Sequence, residues 1–234
     1  MTENTNSDKF ARIMAVISLA VAICAILVAY LQQTYALDEQ KRQFQILQKE
    51  DLTVRLNPHV DGSIRITSHD LGSLGRVVQI PWEVSFSNTG NQKLSLMQYS
   101  MSTGPSPDFT SYSGIDGGIM TADQKTVKLP LLLEPGESRS FVIYVGILVT
   151  PNVYDAISIK SSSNVRTNSS LKLALAKQGM DLYGNHVDYQ EFPGGEYKMT
   201  IDNENQKSPT FWCKVITGRG NVFLASTTEY RLGK

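Results

Sequence analysis

The chain has 234 residues, and 22 lysines plus arginines balance 22 aspartates plus glutamates to a formal net charge of zero. That balance argues against a nucleic-acid partner, which basic excess would attract, and 41% hydrophobic against 19% charged residues excludes disorder along the whole length. Two cysteines and three histidines are too few for a disulfide framework or a His/Cys zinc site.

A short tail, residues 1–12, leads into an apolar run. From Ile13 to Leu31 no residue is charged, and Ser18 is the one strongly polar member. At about 1.5 Å per residue this stretch makes a helix of roughly 28 Å, close to the roughly 30 Å hydrocarbon core of a bilayer. Tyr30 sits at its C-terminal edge, where an amphipathic ring favours the interface. A cleaved secretory signal has an apolar region of only about 7 to 15 residues. Thr34-Tyr35-Ala36 would be a poor cleavage site, so the sequence predicts an uncleaved signal anchor, a single-pass transmembrane helix over 13–31. Lysines and arginines near the span do not decide its orientation: Lys9 and Arg12 precede it, and Lys41, Arg42 and Lys49 come after it. The closeness of Lys9 and Arg12 to the apolar edge, and the length of the C-terminal portion, favour an inside N-terminus. The bulk of the chain is then expected outside the cytoplasm, as on a bacterial inner membrane.

Residues 32–50 contain no Gly or Pro and are rich in helix formers. Leu37, Phe44, Leu47 and Asp51 fall near heptad spacing, but the apolar seam is only about two heptads long. The expectation is a juxtamembrane helix continuous with the span, with a homo-oligomerising stalk as the alternative. Asn57-Pro58 ends helix propagation.

Beyond it the apolar period becomes two. Val78, Ile80, Trp82, Val84 and Phe86 alternate with Gln79, Pro81, Glu83 and Ser85, the pattern of a strand with one buried face. Pro81 lacks an N–H, so this strand either lies at an edge or turns that position away from the ladder. The alternation returns at 127–133, 141–147, 157–159, 171–175, 197–201, 211–215 and 222–224, separated by turn residues such as Asn88-Thr89-Gly90-Asn91, Glu134-Pro135-Gly136-Glu137 and Gly194-Gly195. No amphipathic helix of ordinary length is predicted after residue 58, which gives an all-β antiparallel sandwich or barrel over 51–234.

Phe86-Ser-Asn-Thr-Gly-Asn91, Leu133-Glu-Pro-Gly-Glu-Ser138 and Phe141-Val-Ile-Tyr-Val145 together resemble bacterial immunoglobulin-like modules of the cell-adhesion-related, CARDB type. In those modules an N-x-G turn follows one core strand and L-x-P-G-E precedes the next. The resemblance covers residues 77–147 and implies an immunoglobulin-like β-sandwich, with Trp82 as its buried tryptophan. It implies little about function, because sandwiches host many. The paired cysteines of antibody domains are missing, and Cys213 has only Cys24, within the span, as a mate.

Two stretches exceed a minimal sandwich: a long loop over 100–122, and a Ser/Asn/Thr run over 161–170 that suggests a hairpin tip or a sub-boundary. Since 64 residues beyond 170 would bury little core alone, one domain is the better expectation.

The search for chemistry finds no nucleophile elbow, phosphate loop, H-E-x-x-H or C-x-x-C, and no catalytic residue, metal or cofactor is expected. His59, His69 and His186 read as surface histidines. Asp181, Asn185 and Asp188 offer oxygen ligands for calcium, but such clusters are mostly turns. Asn168-Ser169-Ser170 matches a glycosylation acceptor, which matters only in a secreted eukaryotic context that nothing here supports. Phe109, Tyr112, Tyr183 and Tyr189 are candidates for contact with a protein or a glycan if they gather on one loop end, and core caps if they do not. The leading expectation is therefore a non-enzymatic interaction or scaffold module on a membrane anchor. The alternatives are a tethered glycan-binding module and, more remotely, a membrane-bound hydrolase assembled from His69, Asp70, Asp116 and His186.

Overall fold

The computed structural model describes residues 5–109, 111–161, 167–201 and 207–228. The chain divides into two compact units, residues 1–49 and 50–234.

The first unit is α1 (Thr5–Gln48), one uninterrupted helix of 44 residues. With neither Gly nor Pro inside it, nothing interrupts its hydrogen-bond ladder. Its apolar side chains, Ile13, Val16, Leu19, Ile23 and Leu27 among them, are all exposed. By length and composition this helix can cross a membrane. The polar extension carries an Asp38–Lys41 pair at 4.0 Å and a Gln43 to Glu39 hydrogen bond at 3.4 Å, both one turn apart.

The second unit is mostly antiparallel sheet. Its strands are β1 (Leu52–Pro58), β2 (Arg65–Asp70), β3 (Arg76–Asn88), β4 (Leu94–Thr103), β5 (Asp116–Met120), β6 (Leu131–Leu133), β7 (Ser138–Val149), β8 (Val187–Glu191), β9 (Tyr197–Ile201), β10 (Thr210–Thr217) and β11 (Val222–Thr228). The first sheet runs β1-β3-β7-β5, with β2 also on β3; the second runs β11-β10-β4-β6; β8 and β9 form a separate ribbon. Both larger sheets are open. They share one core, in which Trp82 of β3 meets Phe211 of β10 edge-on at 5.4 Å. Trp82, Ile80, Val84, Ile143 and Val145 are each 0% exposed. Burying such side chains stabilises by about 1.5–3 kcal/mol apiece.

Pro81 lies in a central strand, not at an edge. β1 pairs with β3 from Trp82 to Asn88 and β2 pairs with it from Arg76 to Gln79, so Pro81 sits at the seam between them. Its carbonyl accepts from His59 N–H at 3.0 Å, and the side that lacks an N–H faces the turn joining β1 to β2. Gly62 of that turn packs directly on the proline ring, where any side chain would collide.

Two of the apolar alternations are helices. Residues 157–159 fall within α2 (Pro151–Ser161), and 171–175 within α3 (Asn168–Ala176). Leu171 and Leu175 are buried at i, i+4, as are Val153 and Ile157, a spacing that fits a helix face and also contains the period of two. Local capping decides for helix. Pro151 occupies the first helical position, where its missing N–H costs nothing, and Thr167 and Ser170 form a capping box. Of the run over 161–170, residues 162–166 lie outside the described residues. Other expectations shorten: β4 runs through Thr103 and β5 begins at Asp116, so the long loop spans 104–115, and the strand expected over 127–133 is only β6, preceded by a cis Leu129–Pro130 bond.

Glu50, the first residue of this unit, is buried. Its carboxylate accepts from the Thr217 hydroxyl at 2.5 Å and Asn221 Nδ2 at 2.9 Å, and Arg219 Nε lies 3.7 Å away. The entry to β1 is thereby clamped to the β10–β11 turn. A second buried polar side chain, Asn88, donates to the carbonyls of Gln92 at 2.7 Å and Leu133 at 3.0 Å, fixing the Asn-Thr-Gly turn after β3.

Candidate functional site

The second sheet leaves its outer face partly open, with β11 side chains exposed and those of β10 half-buried. Along β10, Phe211, Cys213, Val215 and Thr217 point into the core, while Trp212, Lys214 and Ile216 alternate outward. Register places Ser226, Leu224 and Val222 of β11 beside those three, and Ser102, Ser100 and Gln98 of β4 on their other side. Val222 is 50% exposed and Leu224 49%; their apolar alternation marks the bare side of a strand, not a buried one. Met97, at a bulge in β4, adds another exposed apolar side chain.

The loop after β4 shapes one end of this face. Ser102 Oγ donates to the Pro107 carbonyl, and Lys214 pairs with Asp108 at 3.0 Å. Gly104, at φ 126°, adopts a conformation open to glycine, and its α-carbon lies against the Phe109 ring with no room for a side chain. Its carbonyl accepts from Trp212 Nε1 at 2.8 Å. Phe109, 63% exposed, and Trp212 thus flank one glycine at the edge of an aliphatic stripe.

A second concavity lies between α3 and the β8–β9 ribbon. Ala176, Met180, Val187, Met199 and Ile201 line an apolar hollow of about 240 Å³, with Lys172 and Asp181 also on its wall. Asp181 is a structural anchor: Oδ1 accepts from Tyr183 N at 2.8 Å and Asn185 N at 2.7 Å, and Oδ2 from Asn185 Nδ2 at 2.6 Å. Asn185 Oδ1 accepts from Lys207 N at 2.7 Å, and Asp188 is exposed beside His186 at 3.2 Å. These oxygens meet N–H donors and do not converge; among the described residues no group of three acids, histidines or cysteines could hold a metal ion.

The four aromatic candidates do not gather. Phe109 belongs to the bare face. Tyr112 is half-buried with its hydroxyl donating to the Gly146 carbonyl at 2.6 Å, and burial pushes its pKa up to about 12. Tyr183 is 7% exposed and part of the core. Tyr189 stacks on Tyr197 at 5.9 Å on the ribbon, with Lys177 Nζ 5.4 Å from its ring centre. Nor do the four hydrolase candidates meet one another through any bond. His69 Nδ1 lies 3.3 Å from Ser113 Oγ, Asp70 pairs with Arg76 at 2.9 Å, Asp116 accepts from Tyr99 at 2.8 Å, and His186 faces Asp188. His69 and Ser113 are both exposed, and sequence spacing gives no reason to single out Ser113.

Both cysteines are free; Cys213 is buried against the core, and burial pushes its thiol up to about 12. Sequence reasoning also missed Trp212 and Leu224. Their alternation identifies which side chains share a face, whereas bareness depends on how much of that face the rest of the chain covers. Comparison with family models and with curated proteins finds no match to this chain.

Proposed function

We propose that this chain is a single-pass, membrane-anchored, non-enzymatic interaction module that presents an immunoglobulin-like β-sandwich to a protein partner at a bacterial envelope. The bare outer face of the second sheet carries the reading. Scattered exposed apolar residues are ordinary, but Ile216 and Val222 are register partners on this face, Leu224 stands opposite Lys214 between them and Trp212, Phe109 lies at its end, and such apolar patches with a polar surround mark interaction surfaces. The apolar α1 gives such a module a reason to work at a membrane. Two antiparallel sheets around Trp82 and Phe211, joined by the Asn-Thr-Gly and Glu-Pro-Gly-Glu turns, favour the immunoglobulin-like description over other open two-sheet folds.

The test is photo-cross-linking from position 224 in intact membranes, with position 83 on β3 as the control. The reading expects a discrete adduct to another protein from 224 that Trp212→Ala weakens. Absence of any adduct from 224 overturns it. Specific retention of the chain on envelope polysaccharide, lost in Phe109→Ala, would replace it with the glycan-binding alternative. Protease protection of a C-terminal tag in spheroplasts and inverted vesicles decides the side of the membrane; the proposal expects digestion in spheroplasts.

A further inference from the structure

The loop after β4 reads Gly104-Pro-Ser-Pro-Asp-Phe109, and it is tied to its own sheet along most of its length. Gly104 N–H donates to the Thr210 carbonyl at 3.0 Å, and the Gly104 carbonyl holds the Trp212 indole N–H at 2.8 Å. The Pro107 carbonyl accepts from Ser102, the Asp108 carboxylate meets Lys214, and Phe109 N–H returns to the Ser106 carbonyl at 3.2 Å. Pro105 and Pro107 add two fixed φ angles. At the end of this frame stands Phe109, the most exposed aromatic side chain of the second unit among the described residues. Its ring is seated on the α-carbon of Gly104, a contact that needs a residue without a β-carbon. Connecting loops are ordinarily mobile, and a mere link from β4 to β5 needs none of these ties. Holding an apolar ring still in water reduces the entropy lost when a partner takes it up, which is what an anchor residue does.

We infer that Phe109 is the anchor residue of the open face, received by an apolar pocket of the protein partner, and that Gly104 is the residue that positions it. The inference rests on the reading of that face as a protein-binding surface. Phe109 touches the partner; Gly104 acts through Phe109, by leaving room for the ring and by fixing where the loop turns. Trp212 has two duties. Its ring lines the face, and its N–H holds the glycine on which the phenylalanine sits.

The experiment reads the adduct formed from a photo-cross-linker at position 224 of the full chain in membranes. Phe109→Ala is expected to lower its yield about tenfold, the size of effect an anchor ring carries, while melting close to the parent. Gly104→Ala keeps the ring but puts a methyl group where the ring sits, and should lower the yield about as much. Because Gly104 acts through the ring, adding Gly104→Ala to Phe109→Ala should lower the yield no further. Trp212→Phe withdraws the N–H from the Gly104 carbonyl and keeps an aromatic ring, and about a threefold loss is expected. If Gly104→Ala melts far below the parent, Trp212→Phe decides in its place, and an unchanged adduct there overturns the positioning role. A parent that forms no adduct overturns the reading of the face and the inference with it. An adduct that survives Phe109→Ala overturns the inference and leaves that reading standing. Additive losses in the double variant make Gly104 a structural glycine and overturn its part.

Discussion

The two large sheets treat their outer faces in opposite ways. In the first, residues 77–82 of β3 are buried on both sides. Their outer neighbours are covered by the chain itself: Gly62 packs on Pro81, Gly117 on Gln79 and Tyr144, the Tyr112 hydroxyl on Gly146, and the Arg65 guanidinium lies 3.4 Å over the Tyr144 ring. In the second, β10 keeps strict alternation and its outer side chains are half-buried, while Val222 and Leu224 beside them on β11 are exposed. A sheet that the fold has already dressed has no surface left for a partner, whereas one dressed on a single side has a face to offer.

If that contrast holds, substitutions should fall into separate ranks. Trp82→Ala, in the shared core, is expected to cost about 3–5 kcal/mol in chemical denaturation, the usual range for deleting a buried aromatic. Next comes alkaline pH. Burial raises Cys213 from 9.0 and Tyr112 from 10.0, each to about 12, so the folded state keeps protons that the unfolded chain releases. Their contribution is complete below about pH 9 and is lost as pH rises toward 12, by about 1.4 kcal/mol per pH unit for each group. Melting between pH 8 and 11 should show the fall, and Tyr112→Phe should flatten its upper part; an unchanged slope would mean the covering loop is not closed over Gly146. Glu50→Ala strips Thr217 and Asn221 of their acceptor and should cost about 1–3 kcal/mol, with Glu50→Gln nearer the parent. Leu224→Ser, on the bare face, should change stability by less than about 0.5 kcal/mol while reducing partner adducts. A large destabilisation there would mean that this face is packed and would break the comparison.

Alternation, a local consequence of the pleat, marks β3, β7, β9, β10 and β11 in the sequence, whereas β1, β2, β4, β5 and β8, whose apolar residues are fewer or interrupted, go unmarked. The helices α2 and α3 are carried poorly. Leu171 and Leu175 satisfy both periods, with Leu173 on the opposite side of the helix, and only the caps at Pro151 and Thr167–Ser170 decide for helix. Pro81 posed two alternatives that depended on where β1 stops and β2 starts, which is a matter of pairing between distant segments. The aromatic candidates show the same limit. Tyr183 and Tyr112 look alike in composition to Phe109, yet the fold buries the first, half-buries the second and leaves the third beside Trp212. No local rule identifies that neighbour, which lies more than a hundred residues along the chain.

The Glu50 clamp also sets an order in time. Its partners, Thr217 and Asn221, are 167 and 171 positions downstream, so during synthesis the carboxylate waits for almost the entire unit. The middle of the second sheet waits with it, since β10 must slot between β4 and β11. A nascent chain released before Thr210 would lack Phe211, Cys213 and Val215 from the shared core. Completion is thus a late, long-range event of the kind that folds slowly, and the interval before it is when the chain depends on protection from its neighbours.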